Sequence, residues 1–204
     1  MFLRLLITLI VLFVASPGSC QNPNAIFTVV TKNYSVRNQR WEAVKMGTGW
    51  AVAPGKIVTC HHVTSGFKSI HEIYFNGNFY SARLVSTAYF KDLSLLEVLP
   101  SITPNTIPLA SEVRDQGKIK LWGDYRGDRG KLKSATGTLL NDSSTDANGV
   151  PGYSGGPVVN ENGCVVGVLN QGITVHGTHL VSKFVPLSTL KSFLDKQKVP
   201  YVAL

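Results

Sequence analysis

Short apolar runs separated by glycine, asparagine and proline are the feature that most limits how this chain can fold. The runs cover residues 26–31, 49–53, 56–59, 93–99, 118–121, 157–159 and 164–169. Runs of this length between turn residues are typical of β-strands. A later segment, residues 188–197, has Leu190 and Leu194 on one helical face and Ser188 as a candidate N-cap. The pattern predicts an all-β fold with one helix near the C-terminus.

The N-terminal residues 1–20 have the pattern of a signal peptide. Arg4 supplies a positive charge, residues 5–15 are apolar, and small residues follow up to Cys20. This apolar segment is too short to span a bilayer, which takes about 20 residues. We therefore expect a secreted or periplasmic protein. Cleavage after Gly18 or Cys20 would release it, whereas cleavage before Cys20 would leave a lipidated, membrane-attached protein, although Pro17 departs from the lipidation pattern.

The composition bounds size, partners and cofactors. The 204 residues, 44% hydrophobic, suffice for one domain or two small packed barrels. The formal net charge is +8, and the densest basic stretch, residues 114–133, lacks the interleaved aromatic residues of a single-strand nucleic-acid platform. No nucleic-acid partner is expected.

No spaced ligand pairs indicate a metal site, so neither metal nor cofactor is predicted. Export would permit a disulfide between Cys60 and Cys164, but two buried thiols are the preferred interpretation.

A serine among glycines, in the sequence Gly152-Tyr153-Ser154-Gly155-Gly156-Pro157, indicates a nucleophile beside free backbone N–H groups. Upstream, an apolar strand ends at His61-His62, and Asp92 opens another apolar run. Each element also has an ordinary explanation, respectively a glycine-rich hairpin turn, a surface or core histidine and a turn aspartate. The order histidine, aspartate, serine is nevertheless that of chymotrypsin-type proteases.

Several motifs together resemble trypsin-like serine proteases, most closely the HtrA/DegP type and compact bacterial and viral endopeptidases. They span roughly residues 45–195. The matching segments are Gly47-Thr48-Gly49-Trp50-Ala51-Val52, Thr59-Cys60-His61-His62-Val63, Asp92-Leu93-Ser94-Leu95-Leu96, Gly123-Asp124-Tyr125-Arg126-Gly127 and Val165-Val166-Gly167-Val168. The resemblance implies two six-stranded antiparallel β-barrels with the active site in their cleft. The expected division is an N-terminal barrel at about 25–100, a linker at 101–113, a C-terminal barrel at 114–187 and a helix at 188–197, all within a protease domain at 21–204.

The resemblance also implies roles for individual residues. Ser154 would be the nucleophile, His62 the general base, and Asp92 the group that orients His62. The backbone N–H groups of Gly152 and Ser154 would form the oxyanion hole. The candidate substrate-binding residues are Asn148, Leu169 and Asn170. The substrates would be polypeptides, and an apolar residue at position 169 favours a small or aliphatic P1 side chain.

Departures from the pattern limit what can be carried over. Tyr153 stands where digestive proteases carry an aspartate that pairs with a new N-terminus, so activation of that kind is not expected. No PDZ-like segment is expected after residue 195. Two other functions stay open: a catalytically silent binding module on the same fold, and an esterase using the same three residues.

Overall fold

The computed structural model describes residues 22–66, 68–103, 105–113, 117–175 and 178–204. The predicted signal peptide, with Cys20, lies outside the described residues. The described part is built mainly from β-strands, as predicted. The strands are β1 (Ile26–Ser35), β2 (Arg40–Ala53), β3 (Lys56–Thr59), β4 (Ser69–Phe75), β5 (Asn78–Ala88), β6 (Leu93–Glu97), β7 (Lys118–Asp124), β8 (Leu132–Asn141), β9 (Ser144–Thr145), β10 (Pro157–Asn160), β11 (Val165–Val175) and β12 (Thr178–Pro186), and the helices are α1 (His61–Thr64) and α2 (Leu187–Lys196).

The strands close into two antiparallel barrels of six strands each, which confirms the predicted fold class. The first barrel has the strand order β1-β2-β3-β6-β5-β4, and the second has the order β10-β11-β12-β9-β8-β7. Each barrel is therefore made from a continuous half of the chain. Closure leaves no unpaired sheet edge, and the inward side chains form the core.

One apolar core runs through both barrels. Trp50, Phe27 and Ile57 are fully buried in the first, and Leu121 and Val158 in the second. The connection between the barrels is tied to both. Ile107 N–H donates to the Ala51 carbonyl, and Ala110 N–H donates to the Val165 carbonyl. These bonds seat the connecting segment against the two barrels.

Two local features differ from the expectations. The segment after β3 turns into the short helix α1, which carries both His61 and His62, where the sequence indicated only a strand end. The C-terminal helix begins at Leu187, so Pro186 occupies the N-cap position and Ser188 lies inside the first turn. Leu187 is buried, and its packing accounts for the earlier start. No helix in the described residues is long and apolar enough to cross a membrane.

Candidate active site

Ser154 lies on the loop between β9 and β10, where glycines allow very close packing. Gly155 has a φ of +89°, and a Cβ there would lie 2.1 Å from the Thr48 carbonyl oxygen. A Cβ at Gly156 would lie 1.9 Å from the Trp122 carbonyl oxygen. Neither position can hold a side chain, because the loop backbone presses against β2 of the first barrel and β7 of the second. The glycines that flag this motif in the sequence are thus explained by packing.

Thr48 of β2 holds this loop with two hydrogen bonds. Its backbone N–H donates to the Ser154 carbonyl at 2.8 Å, and its Oγ1 donates to the Gly152 carbonyl at 2.7 Å. Thr48 is fully buried. Both bonds engage carbonyl oxygens, so they fix the loop from the side of the first barrel without occupying its N–H groups.

The N–H groups of the loop divide into two sets. Those of Tyr153, Gly155 and Gly156 donate to the carbonyls of Val150, Leu169 and Tyr153, respectively. Within the described residues, the N–H groups of Gly152 and Ser154 donate to no protein acceptor. These two are the pair that the sequence predicts as an oxyanion hole, and they have the free donors that such a site needs.

The orientation of the Gly152 N–H is set by the other end of the same peptide unit. The Pro151 carbonyl accepts a hydrogen bond from the Arg126 N–H at 2.9 Å. In a trans peptide the C=O and the following N–H point in opposite directions. The bond to Arg126 therefore turns the Gly152 N–H away from the 125–127 turn. Arg126 itself has a φ of 55°, in the left-handed region.

Tyr153 packs under the loop where digestive enzymes would have an aspartate. It is 3% exposed, and its ring lies so close to Gly123 that a Cβ there would be 2.6 Å from Cγ of the ring. Burial raises the pKa of the phenol. The loop is thus held at this position by the packing of a neutral ring against β7.

His62 and Asp92 make a two-point contact at the ends of the neighbouring strands β3 and β6. His62 Nδ1 lies 2.8 Å from Asp92 Oδ2, and the His62 backbone N–H donates to Asp92 Oδ1 at 2.9 Å. Since a carboxylate only accepts, the neutral ring carries its proton on Nδ1 and leaves Nε2 as a free acceptor. Asp92 adopts a left-handed conformation (φ 51°), which aspartate tolerates better than most residues.

Asp92 is kept ionised by these contacts. Burial acts to raise the pKa of Asp92, but the hydrogen bonds from the ring and the backbone of His62 outweigh it, so the pKa is lowered. The neighbouring His61 points elsewhere, because its ring packs edge-on against Tyr89 at 5.2 Å. The structure thus pairs His62, and not His61, with Asp92.

The loop that carries Ser154 packs against the residues around His62. A Cβ at Gly155 would lie 2.9 Å from Cys60 N, and one at Gly47 would lie 2.6 Å from Val63 Cγ2 and 2.8 Å from the Ser154 carbonyl oxygen. Cys60 and Val63 flank the histidine pair. The serine loop of the second barrel and the segment of His62 in the first barrel therefore pack against each other at the junction of the barrels.

The three predicted substrate-binding residues occupy different environments. Asn148 is exposed on the loop before Ser154, and Asn170 lies in β11 at a break in the strand register. Among the described atoms, Asn170 Oδ1 is buried without a hydrogen-bond partner. Leu169 is 2% exposed, so its side chain lies in the core. Its carbonyl accepts from the Gly155 N–H, which gives Leu169 a part in holding the loop.

Cys60 lies beneath this junction and is a buried free thiol, so no disulfide joins it to Cys164. Ligand-type atoms of Cys60, His62 and Asp92 all lie within 4.8 Å of one another. Burial, followed by the negative charge of Asp92, raises the pKa of the Cys60 thiol well above its usual value. The thiol of Cys60 and the ring of His62 thus both lie beside the Asp92 carboxylate.

Comparison with known proteins assigns the chain to a family. Residues 47–168 match the family model described as a trypsin-like peptidase domain. The chain belongs to this family. It is 27% identical, over 90% of its length, to a probable periplasmic serine endoprotease, DegP-like, of Chlamydia trachomatis, and covers 42% of that protein. It is 31% identical, over 78% of its length, to a protein of the same name from a Marinomonas species, and covers 37% of it.

A third relative of this trypsin-like peptidase chain is the serine protease Do-like HtrB of Bacillus subtilis, 24% identical over 69% of the chain and 35% of the relative. The chain thus spans less than half the length of these three proteins. The resemblance deduced from the motifs is confirmed.

Sequence reasoning missed three features of the site. Thr48 lay within a matched motif, but nothing local indicated that it bonds to the serine loop. For Cys60 the sequence predicted a buried thiol or a disulfide partner, and no contact with the candidate catalytic residues. Tyr89 and Phe90, which are 68% and 98% exposed, pack edge to face on each other shortly before Asp92 in the chain. A pair of aromatic residues just before the aspartate was the one signal available for them.

Proposed function

We propose that this chain is an exported serine endopeptidase that hydrolyses peptide bonds with Ser154, His62 and Asp92. The observation that carries the proposal is the two-point contact between His62 and Asp92, at 2.8 and 2.9 Å, beside a serine loop with two free N–H groups. A serine hydroxyl is a weak nucleophile by itself, so an oriented base is the element that such chemistry requires.

In the proposed mechanism Ser154 Oγ attacks the scissile carbonyl carbon while its proton passes to His62 Nε2. The resulting oxyanion accepts hydrogen bonds from the N–H groups of Gly152 and Ser154. Collapse breaks the C–N bond, and His62 returns the proton to the leaving amine. Water then attacks the acyl-enzyme, gives its proton to His62, and releases the acid and Ser154. Asp92 keeps the imidazole in the required tautomer and stabilises its cation throughout.

The substrates we propose are polypeptides with a small or aliphatic P1 side chain, bound near Asn148, Leu169 and Asn170. The segments that carry these residues lie side by side, since a Cβ at Gly172 would be 2.6 Å from the Gly149 carbonyl oxygen. Cleavage of a peptide series that differs only at P1 tests this specificity. Preference for a glutamate at P1 would contradict it.

Export rests on the signal-peptide pattern of residues 1–20 and on the periplasmic relatives. Mass spectrometry of the exported protein would give its N-terminus. We expect a free N-terminus after Gly18 or Cys20. A lipid on Cys20 would support membrane attachment instead, and retention of residues 1–20 would contradict the proposal.

Fluorophosphonate labelling tests the catalytic proposal directly, with Ser154→Ala as the matched control. We expect labelling of the wild type alone, together with turnover of an amide substrate. No labelling of a folded wild type would favour the silent binding module. Labelling with turnover of esters but not of amides would favour the esterase.

A further inference from the structure

The thiol of Cys60 occupies a position in contact with two parts of the site. Cys60 lies between β3 and α1 and is completely buried. Its Sγ lies 3.2 Å from the carbonyl oxygen of Leu169, the same oxygen that accepts the Gly155 N–H of the serine loop. Sγ also lies within 4.8 Å of a carboxylate oxygen of Asp92. One side chain thus touches the partner of His62 and an anchor of the loop that carries Ser154.

The chemistry of this thiol makes it a donor. Burial, and then the charge of Asp92, raises the pKa of Cys60, so the S–H proton is retained at neutral pH. Its neighbours are a carboxylate and a carbonyl, both of which only accept. Among the described residues, the titratable groups that act on Asp92 are His62 and Cys60, and the one that acts on Cys60 is Asp92.

We propose that Cys60 is a positioning residue, whose single buried S–H proton is shared between the Asp92 carboxylate and the Leu169 carbonyl under the serine loop. The proposal rests on the proposed function, because it matters for catalysis only if His62 and Asp92 act as described. A carboxylate offers about four lone-pair directions, of which His62 fills two. A third donor from below restricts rotation of the carboxylate and stabilises its charge without contact with solvent.

The kinetic test compares Cys60→Ala, which removes the donor, with Cys60→Ser, which keeps one. The matched control is Cys164→Ala, which removes a buried cysteine outside the site. We expect kcat/KM of Cys60→Ala to fall by roughly three- to tenfold, the range of one hydrogen bond. Loss of the donor makes the carboxylate more basic, so the acid limb of the pH profile should move to higher pH. Cys60→Ser should restore most of both quantities, and Cys164→Ala should leave both unchanged.

Two results would overturn this assignment. One is a pH profile of Cys60→Ala that superimposes on that of the wild type. The other is an equal loss in Cys60→Ala and Cys60→Ser that follows their melting temperatures, which would indicate only a packing role. Melting temperatures of all three variants should therefore be measured with the kinetics.

A spectroscopic test separates failure of this inference from failure of the proposed function. The infrared S–H stretching band of Cys60 is assigned by subtracting the spectrum of Cys60→Ala from that of the wild type. Asp92→Asn should shift this band to higher frequency, because an amide oxygen accepts more weakly than a carboxylate. An unshifted band would overturn the contact. A shifted band in a protein without turnover would retain the contact and reject the endopeptidase.

Discussion

Two aspartates near the junction of the barrels, Asp92 in the first and Asp124 in the second, have opposite electrostatic situations. The side chain of Asp92 is 26% exposed and accepts two hydrogen bonds from His62. Asp124 is completely buried, its Oδ2 accepts from Thr28 Oγ1, and its Oδ1 has no partner among the described residues. The hydrogen bonds from His62 lower the pKa of Asp92 despite its burial, whereas burial raises the pKa of Asp124.

The difference follows from what faces each carboxyl: the hydrogen bonds from His62 outweigh burial at Asp92, whereas the hydrogen bond from Thr28 does not offset burial at Asp124. Asp92 is equipped to balance a histidine that gains a proton. Asp124 is not equipped in this way, and its contacts are structural. Its backbone N–H donates to Thr48 Oγ1, which in turn donates to the Gly152 carbonyl. Asp124 therefore contacts the serine loop indirectly, through Thr48, whereas Asp92 acts on His62 through its charge.

The largest expected effect is a difference in kcat between variants of the two aspartates. Asp92→Asn should lower kcat by about 10⁴-fold, because an amide cannot hold the imidazole in the required tautomer. Asp124→Asn should lower it by less than about tenfold, since its effect reaches the loop only through hydrogen bonds. Steady-state kinetics on an amide substrate measure both. Comparable losses in the two variants would contradict the division of roles.

Thr48 hydrogen-bonds both the serine loop and the backbone of Asp124, and removal of its hydroxyl should have the next largest effect on activity. Thr48→Val keeps the shape but removes the hydroxyl that serves Gly152 and Asp124. We expect kcat/KM to fall by about 10- to 100-fold, because unsatisfied buried groups at the loop cost on the order of 1–3 kcal/mol. Thr48→Ser is the control and should stay near the wild type. Equal rates for the two variants would remove Thr48 from the network.

Thr28→Val tests the dependence of Asp124 on the one side chain among the described residues that donates to it. Without that hydroxyl the buried carboxylate loses a partner, so the free energy of unfolding at neutral pH should fall by about 1–3 kcal/mol. Urea denaturation measures this change, with Thr28→Ser as the control. The loss should shrink at low pH, where Asp124 is protonated. A loss that is independent of pH would mean that Thr28 acts by packing alone.

The smallest effects are expected in the pH dependence of stability. The contributions of the two aspartates to the free energy of unfolding should change in opposite directions as the pH falls. A lowered pKa means that the contribution of Asp92 is present above its unfolded pKa and is lost as the pH falls through the folded value. A raised pKa means that the folded protein gains stability as the pH falls through the pKa of Asp124. Acidification should therefore lower the free energy of unfolding of the wild type relative to Asp92→Asn and raise it relative to Asp124→Asn. Denaturant titrations from neutral pH downward measure both differences, and slopes of the same sign would contradict the comparison.

Much of the fold and part of the site follow from short segments of the sequence. Apolar runs between turn residues predicted an all-β chain, and the matched motifs predicted two barrels, because strand patterns and turn glycines are local properties. The glycines at 155 and 156 could also be identified from the sequence, because they belong to one short motif around Ser154. The resemblance implied that His62 is the general base, and the structure pairs His62 with Asp92.

The sequence by itself thus determined the strand pattern, the order of the three candidate catalytic residues and the glycines around Ser154. Only the tertiary structure decided which groups touch them. Thr48 meets Gly152, Cys60 meets Asp92 and the Leu169 carbonyl, and Asp124 is buried against Thr28. Such contacts join residues about thirty to a hundred positions apart. They arise when closed barrels pack, and no pattern within either segment encodes the other partner.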